Sequence, residues 1–259
     1  MKKIFMISIM LIFCIFAKFI AHAKATGQEF ILEEAGSMDE SRSQDWWLNS
    51  GGIMKSANGE FSTNTGSLSK ECYWRKLYAV DNPSDTEDGY QPQNIFRLVT
   101  RQKWHNFSQT VYFQISAISQ GDSENRNASN GVLFFIRYQD QNNLYYAGLR
   151  VDGHAVIKKK VLGQYVTLAE RDIFSDNKAY NKNTDPNFLP IHRWVGIRSE
   201  IKNSGGNGVD IKLFVDFDQS GDWKLVLAVK DDKAPILGKG FAGIRSDFMD
   251  VRFKRYNAK

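Results

Sequence analysis

The sequence predicts an all-β fold, two antiparallel sheets packed as a sandwich. Two observations carry that expectation. Short runs alternate apolar and polar side chains along most of the chain, the period-2 pattern of strands with one buried face. Clusters of Gly, Asn and Asp punctuate these runs at short intervals, as hairpin-connected strands require. No helix of convincing length, internal repeat or interdomain linker stands out. A chain of 259 residues, 42% hydrophobic and 13% aromatic, is long enough for one large β domain.

The N-terminus reads differently. Met1-Lys2-Lys3 is a basic start, Ile4 to Phe16 an apolar run, and Ala21-His22-Ala23 a small-x-small cleavage site. Residues 1–23 are therefore expected to be a secretory signal peptide, and residues 24–259 one β-sandwich domain, secreted or periplasmic. Lys18 leaves the run too short for a membrane anchor, and no lipobox surrounds Cys14. Cleavage would remove Lys2, Lys3 and Lys18 and no acid, so the net charge falls from +5 to +2. Attraction for anions must then come from local clustering, and no nucleic-acid partner is expected. Cys72 is the only cysteine left, so the fold must rest on its core, with no intrachain disulfide. Beside Tyr73 and Trp74 it reads as a small hydrophobe.

In chain order, Glu29 to Leu32 opens the domain, and a polar run follows from Ser37 to Asp45. Trp46 to Ile53 reads as a strand entry beside a tight turn. Tyr73 to Val80 reads as a strand from its aromatic content, and Asp81 to Gln93 as a long loop rich in Asp, Pro and Gly. Asn94 to Thr100 and Thr110 to Ile118 alternate again, the second with Val111, Phe113, Ile115 and Ala117 inward. Ser119 to Asn130 and Phe174 to Pro190 are polar loops. Arg193 to Ile201, then Val209 to Phe217 with Trp223 to Lys230, continue the sheets, and Gly240 to Arg245 with Asp250 to Tyr256 close the chain.

The centre is Gly131 to Leu162, whose runs break at Gln139–Asn143 and at Asp152-Gly153. Asp-Gly between alternating runs predicts a two-residue type I′ turn. Counting outward pairs Val151 with His154, Arg150 with Ala155 and Tyr146 with Lys159. That register groups Tyr146, Arg150 and Lys159 on one face, opposite Tyr145, Leu149 and Val151.

Four phrases carry a resemblance: FFIRYQDQNNLYYAGLRVDGHAVIKKK, RWVGIRSEI, VDIKLFVDFDQSGDW and GFAGIRSDFMDVRFKRY. With the strand order they resemble the concanavalin A-like lectin/glucanase group of jelly-roll sandwiches, which includes laminin G-like modules. The resemblance implies two stacked curved sheets and a concave face that binds extended sugar chains. The superfold hosts lectins, glycosidases, polysaccharide lyases and adhesion modules, so activity must be read from the residues. A retaining glucanase needs two carboxylates about 5 Å apart. No strand here offers an alternating acidic pair, since Glu200 stands only with Arg198 and Trp194. There is no nucleophile elbow, no phosphate loop, and no ligand spacing among His105, His154 and His192. No organic cofactor is expected.

What recurs is Arg, Gln, Tyr and Lys on strands. Arg97, Arg101, Arg137, Gln139, Lys159, Trp194 and Arg198 are candidate contacts for a polysaccharide, an anionic one given the cations. The lyases of this fold neutralise a uronate carboxylate and move its C5 proton, chemistry that needs fixed cations around the developing charge. Tyr145-Tyr146-Ala147-Gly148 is similar to the lyase Tyr-Phe-Lys-Ala-Gly phrase but lacks its Lys, and the Gln-Ile-His strand is missing. Tyr146, Arg150 and His154 are the catalytic candidates, with His105 as substitute. Binding alone stays ahead of β-elimination, and a laminin G-like protein-contact module without catalysis is a third reading. The same residues also have an ordinary reading: arginines lying over aromatic neighbours, a solvated Lys158–Lys160 end, and tryptophans in the core. The resemblance further implies a structural calcium held by Asp247 and Asp250, completed by Glu33 or Glu34. A monomer is expected. Asp216 to Asp222 starts like an EF-hand but has Leu227 in place of the last glutamate, so it reads as a hairpin turn.

Overall fold

The computed structural model describes residues 30–259; the signal-peptide expectation for residues 1–23 lies outside them. Fifteen strands follow in order: β1 Phe30–Glu33, β2 Trp46–Ser50, β3 Ile53–Ala57, β4 Glu60–Thr63, β5 Ile95–Trp104, β6 Phe107–Ile118, β7 Gly131–Asp140, β8 Asn143–Arg150, β9 His154–Val161, β10 Gln164–Asp172, β11 Val195–Ser204, β12 Gly208–Asp216, β13 Lys224–Asp231, β14 Gly240–Asp247 and β15 Met249–Ala258. Two short helices, α1 Tyr73–Asp81 and α2 Pro83–Thr86, lie between β4 and β5.

The strands form two antiparallel sheets, one of eight strands in the order β1-β3-β4-β15-β6-β11-β12-β13 and one of seven in the order β10-β9-β8-β7-β14-β5-β2. Their inner faces share one core. Val111, Phe113, Ile115, Ile197, Leu213 and Phe253 come from the eight-stranded sheet, and Leu48, Phe96, Phe134, Tyr145, Leu149 and Ile244 from the seven-stranded one. This is the two-sheet sandwich that the alternation predicts and the resemblance implies.

Three expectations are corrected. Tyr73 to Val80 is helix, not strand. Trp74, Leu77 and Tyr78 fall at helical spacing, and the helix buries Tyr78, whose hydroxyl donates to Glu34 (2.6 Å) and accepts from the Gly51 N–H (3.0 Å). Ala117 is exposed, because a bulge opposite Asp250 and Val251 turns the end of β6 over.

The third correction is the central hairpin. Leu149 pairs with Ala155, Ala147 with Ile157, Tyr146 with Lys158 and Tyr145 with Lys159, one residue from the expected register. In the loop only Gly153 has positive φ (+86°), whereas a type I′ turn needs two such residues. The Gly153 N–H donates to the Arg150 carbonyl (3.0 Å), so Val151 and Asp152 form an ordinary turn closed by a left-handed glycine. Two contacts hold the longer loop. Val151 is buried in the core, and the Gly153 carbonyl accepts the N–H groups of Ile173 and Phe174.

Candidate functional site

With the observed register, the outer face of the seven-stranded sheet can be assembled row by row. One cross-strand row reads Thr167, Lys158, Tyr146, Phe135, Gly243, Val99, Trp47. The next reads Glu170, Val156, Gly148, Leu133, Arg245, Arg97, Ser50. Val99, Leu133, Phe135, Leu144, Tyr146 and Val156 make a second apolar cluster here, flanked by half-buried Met38, Trp47, Tyr138 and Phe241.

Cations stand over one part of this floor. Asp247 is buried and takes Arg97 on one oxygen (2.7 Å) and Arg245 on the other (3.0 and 2.7 Å). Burial raises its carboxyl, but the two guanidinium groups outweigh that and hold it below the usual range. Arg97 is further tied to the Phe96 and Ser246 carbonyls (2.7 and 3.1 Å), which makes it a fixed strut. Arg245 also lies 5.2 Å from the centre of the Tyr146 ring.

Tyr165, on the edge strand β10, leans back to 6.1 Å from Tyr146, with Lys160 4.9 Å from its own ring centre. The two phenols are driven apart. Burial pushes Tyr146 up to about 12, against the pull of Arg245. Burial also raises Tyr165, but Arg245, Lys160 and hydrogen bonding from Tyr146 and Arg245 prevail and bring it below its ordinary value. Lys158, paired across the strands with Tyr146, is lowered first by burial and then by Arg150 and Arg245. Among the described residues its ammonium has no carboxylate within ion-pairing distance; it donates to Ser129 Oγ (3.3 Å). Tyr146, Tyr165, Arg245 and Lys158 thus frame a spot where positive charge exceeds its local neutralisation.

The residues expected from the sequence do not gather in one place. Tyr146, Arg97, Arg101, Arg150 and His154 lie on this outer face. Arg101 is turned to the Ser43 carbonyl (2.9 Å) and Asp39 (3.9 Å). Arg150 is consumed by Asp152, Glu170 (3.0 Å) and the Ala128 carbonyl (3.2 Å). His154 leans on Asp152 (3.3 Å). It lies four residues along β9 from the partner of Tyr146, about 13 Å away, so the two do not meet at one reacting carbon.

Lys159 faces the core, bound to both oxygens of Asp231 (2.9 and 2.8 Å) and to the Lys233 and Ala234 carbonyls. Arg137 is buried at a bulge with φ +49°, donating to the carbonyls of His105 (2.9 Å) and Ile236 (2.7 Å) and to Asn106 (3.2 Å). Gln139 is exposed at the end of β7. Trp194 and Arg198 belong to the other side of the sandwich. Lys254 and Arg252 lie over Trp194, and Arg198 lies between Phe214 and Trp223.

The calcium residues do not converge either. Asp247 is neutralised by two arginines, Asp250 accepts from the Gly66 N–H (2.7 Å) and Gln93 (2.9 Å), and Glu34 accepts from Gly52 and Tyr78. An oxygen set already shared among guanidinium, amide and hydroxyl donors does not fit a hard divalent cation. No group of three candidate ligands exists among the described residues. Arg245, Tyr165 and Lys158 are the residues that sequence reading missed. Alternation outward from Ala242 and Ile244 was the signal for Arg245.

No protein-family model matches the chain, and no curated protein matches it in sequence. Among solved structures, the carbohydrate binding module CBM66 from Bacillus subtilis aligns with a TM-score of 0.47 and 11% identity, over 84% of this chain and 97% of that one. The GH43 protein BlXynB from Bacillus licheniformis aligns at 0.46 and 12%, over 88% of this chain and 38% of that one. The VIP36 exoplasmic/lumenal domain in its Ca2+/Man3GlcNAc-bound form aligns at 0.42 and 7%, over 87% and 88%.

Proposed function

We propose that the outer face of the seven-stranded sheet binds an extended, acidic polysaccharide, in a secreted or periplasmic protein. The observation that carries this reading is the cluster of Lys158, Arg245, Tyr165 and Tyr146 over an apolar floor. Exposed Tyr165 and half-buried Trp47, Tyr138 and Phe241 offer contact to the flat faces of sugar rings, and the under-neutralised cations offer a place for a carboxylate. Titration calorimetry with alginate, polyguluronate, hyaluronan and glucuronan at low and raised salt tests it. Salt-sensitive binding to at least one is the expected result. No binding to any of them at low salt overturns the reading.

One observation favours β-elimination as a second reading: a tyrosine whose phenol lies below its ordinary value beside an arginine. On that reading Tyr165 removes the C5 proton while Lys158 and Arg245 neutralise the uronate carboxylate. The C4–O4 bond then breaks, a C4–C5 double bond forms, and Tyr146 protonates the departing oxygen. The ultraviolet absorbance of an unsaturated uronate reports this reaction, and its absence on every uronate leaves binding alone.

A further inference from the structure

Two lysines stand at opposite ends of one cross-strand line on this face. Tyr165, Lys160 and Leu144 are in register across β10, β9 and β8. Tyr138, Phe241 and Lys103 are in register across β7, β14 and β5. The bulge of β7 joins the two half-lines. Between the Ile136–Tyr145 and Asp140–Asn143 pairs, Leu144 alone faces three residues of β7, with Tyr138 in the middle. The same bulge that takes Arg137 inside therefore turns Tyr138 out.

At one end Lys160 lies 4.9 Å from the Tyr165 ring centre, and Arg245 acts on the same phenol. Asp140, which feels Lys160, is taken up by the Asn142 N–H (2.7 Å) and the Asn143 amide (3.0 Å to each oxygen). At the other end Lys103 is exposed, 5.0 Å from the Phe241 ring centre. Among the described residues neither ammonium has a carboxylate within ion-pairing distance, and a ring on one side of a lysine leaves its other hydrogens free to meet an anion. Four strand spacings separate the two lysines, about 19 Å, which is several sugars and more than one can reach. Leu144 is buried, so the surface between them belongs to half-buried Tyr138 and Phe241.

We infer that this face takes an internal stretch of an acidic glycan laid across the strands, one acidic group held by Lys158, Lys160 and Arg245 and a second, several sugars along, held by Lys103. Lys103 is thus a residue that selects for chain length, and an oligomer too short to reach both ends is a poor ligand. The inference rests on the reading of this face as a glycan surface.

Calorimetry on the full chain at low salt, with guluronate and hyaluronan oligomers from disaccharide to octasaccharide, tests it. In at least one series the octasaccharide is expected to bind at least fivefold more tightly than the disaccharide. In Lys103→Gln that gain should shrink to within twofold, with a shallower salt dependence and an unchanged disaccharide affinity. Lys103→Arg should keep the gain. A gain with length that survives Lys103→Gln, or no gain at all, overturns the second anion position and leaves the glycan reading standing. Silence from both series overturns the inference and, with the long polymers also silent, the reading beneath it.

Discussion

Lys159 stands opposite Tyr145, not Tyr146. That one-residue difference moves an ammonium from the outer face into the sandwich. There it meets Asp231, whose second oxygen also accepts the Tyr145 hydroxyl (2.6 Å), and the same hydroxyl accepts the Ile236 N–H (2.9 Å). The buried pair thereby pins the connection from β13 to β14. Removing one partner leaves the other charged in a dry site. Lys159→Met is expected to cost about 3–5 kcal/mol. Adding Asp231→Asn should return most of it, because no buried charge remains and Tyr145 keeps an acceptor. Urea unfolding of the two variants checks this through the shift in midpoint. A Lys159→Met protein as stable as the parent would mean that Lys159 is solvated.

The loop behind that register makes its own prediction. At Gly153 a Cβ would lie 2.5 Å from the Ser175 nitrogen, and φ is +86°. Gly163 has a similar φ of +81°, but its nearest neighbour would be Asn142 Oδ1 at 3.5 Å. Gly163→Ala should therefore cost only the left-handed backbone penalty, about 1–2 kcal/mol. Gly153→Ala adds a backbone collision and should cost more, about 3 kcal/mol or above. Thermal melts of both variants, compared side by side, check the order. Equal costs would mean that the Ser175 contact is soft.

How much of this was legible follows from the same hairpin. Alternation alone separates Tyr146, Gly148 and Arg150 from Tyr145, Leu149 and Val151, because that pattern belongs to β8 itself. The faces of β9 depend on loop length, and Asp-Gly is compatible with two. What decides is Val151 in the core and the Gly153 carbonyl held by Ile173 and Phe174, contacts from twenty residues further on. Likewise Trp194 and Arg198 alternate outward as expected, but which sheet β11 joins is a matter of topology, and it pairs with β6 and β12. Arg137 looked like a groove cation. A bulge and two distant carbonyls, of His105 and Ile236, take it inside. Tyr73 to Val80 was misread because aromatic content suggested a strand where the spacing of Trp74, Leu77 and Tyr78 was helical.

Lys158 separates binding from stability. Burial and the neighbouring Arg150 and Arg245 lower it, so its charge is held against a cost in the folded state. Its folded value lies below the unfolded one, and at neutral pH the charged lysine therefore subtracts from stability. Lys158→Gln should raise the melting temperature by about 1–3 °C while weakening acidic glycan binding. A variant that both melts lower and binds as before would show that Lys158 serves packing and not recognition.

Tyr165 gives the face a pH dependence with a definite sign. Burial would raise its phenol, yet Arg245, Lys160 and the hydrogen bonds from Tyr146 and Arg245 bring it down, while Tyr146 ionises only near about 12. An ultraviolet titration should show a tyrosine ionising below the usual value of about 10, and Tyr165→Phe should abolish that step. For an acid whose folded value is depressed, the stabilisation is fully present above the unfolded value and disappears as pH falls through the folded one. At neutral pH Tyr165→Phe should accordingly leave ion-linked stability unchanged and lose only the alkaline gain. Binding moves in the opposite direction. A phenolate beside Lys160 and Arg245 neutralises part of the charge that attracts a carboxylate, so affinity for an acidic glycan should fall as pH rises through this step, and Tyr165→Phe should remove that part of the fall. Affinity whose pH dependence is the same in Tyr165→Phe as in the parent would place the carboxylate away from Tyr165, and with it the recognition centre away from β10.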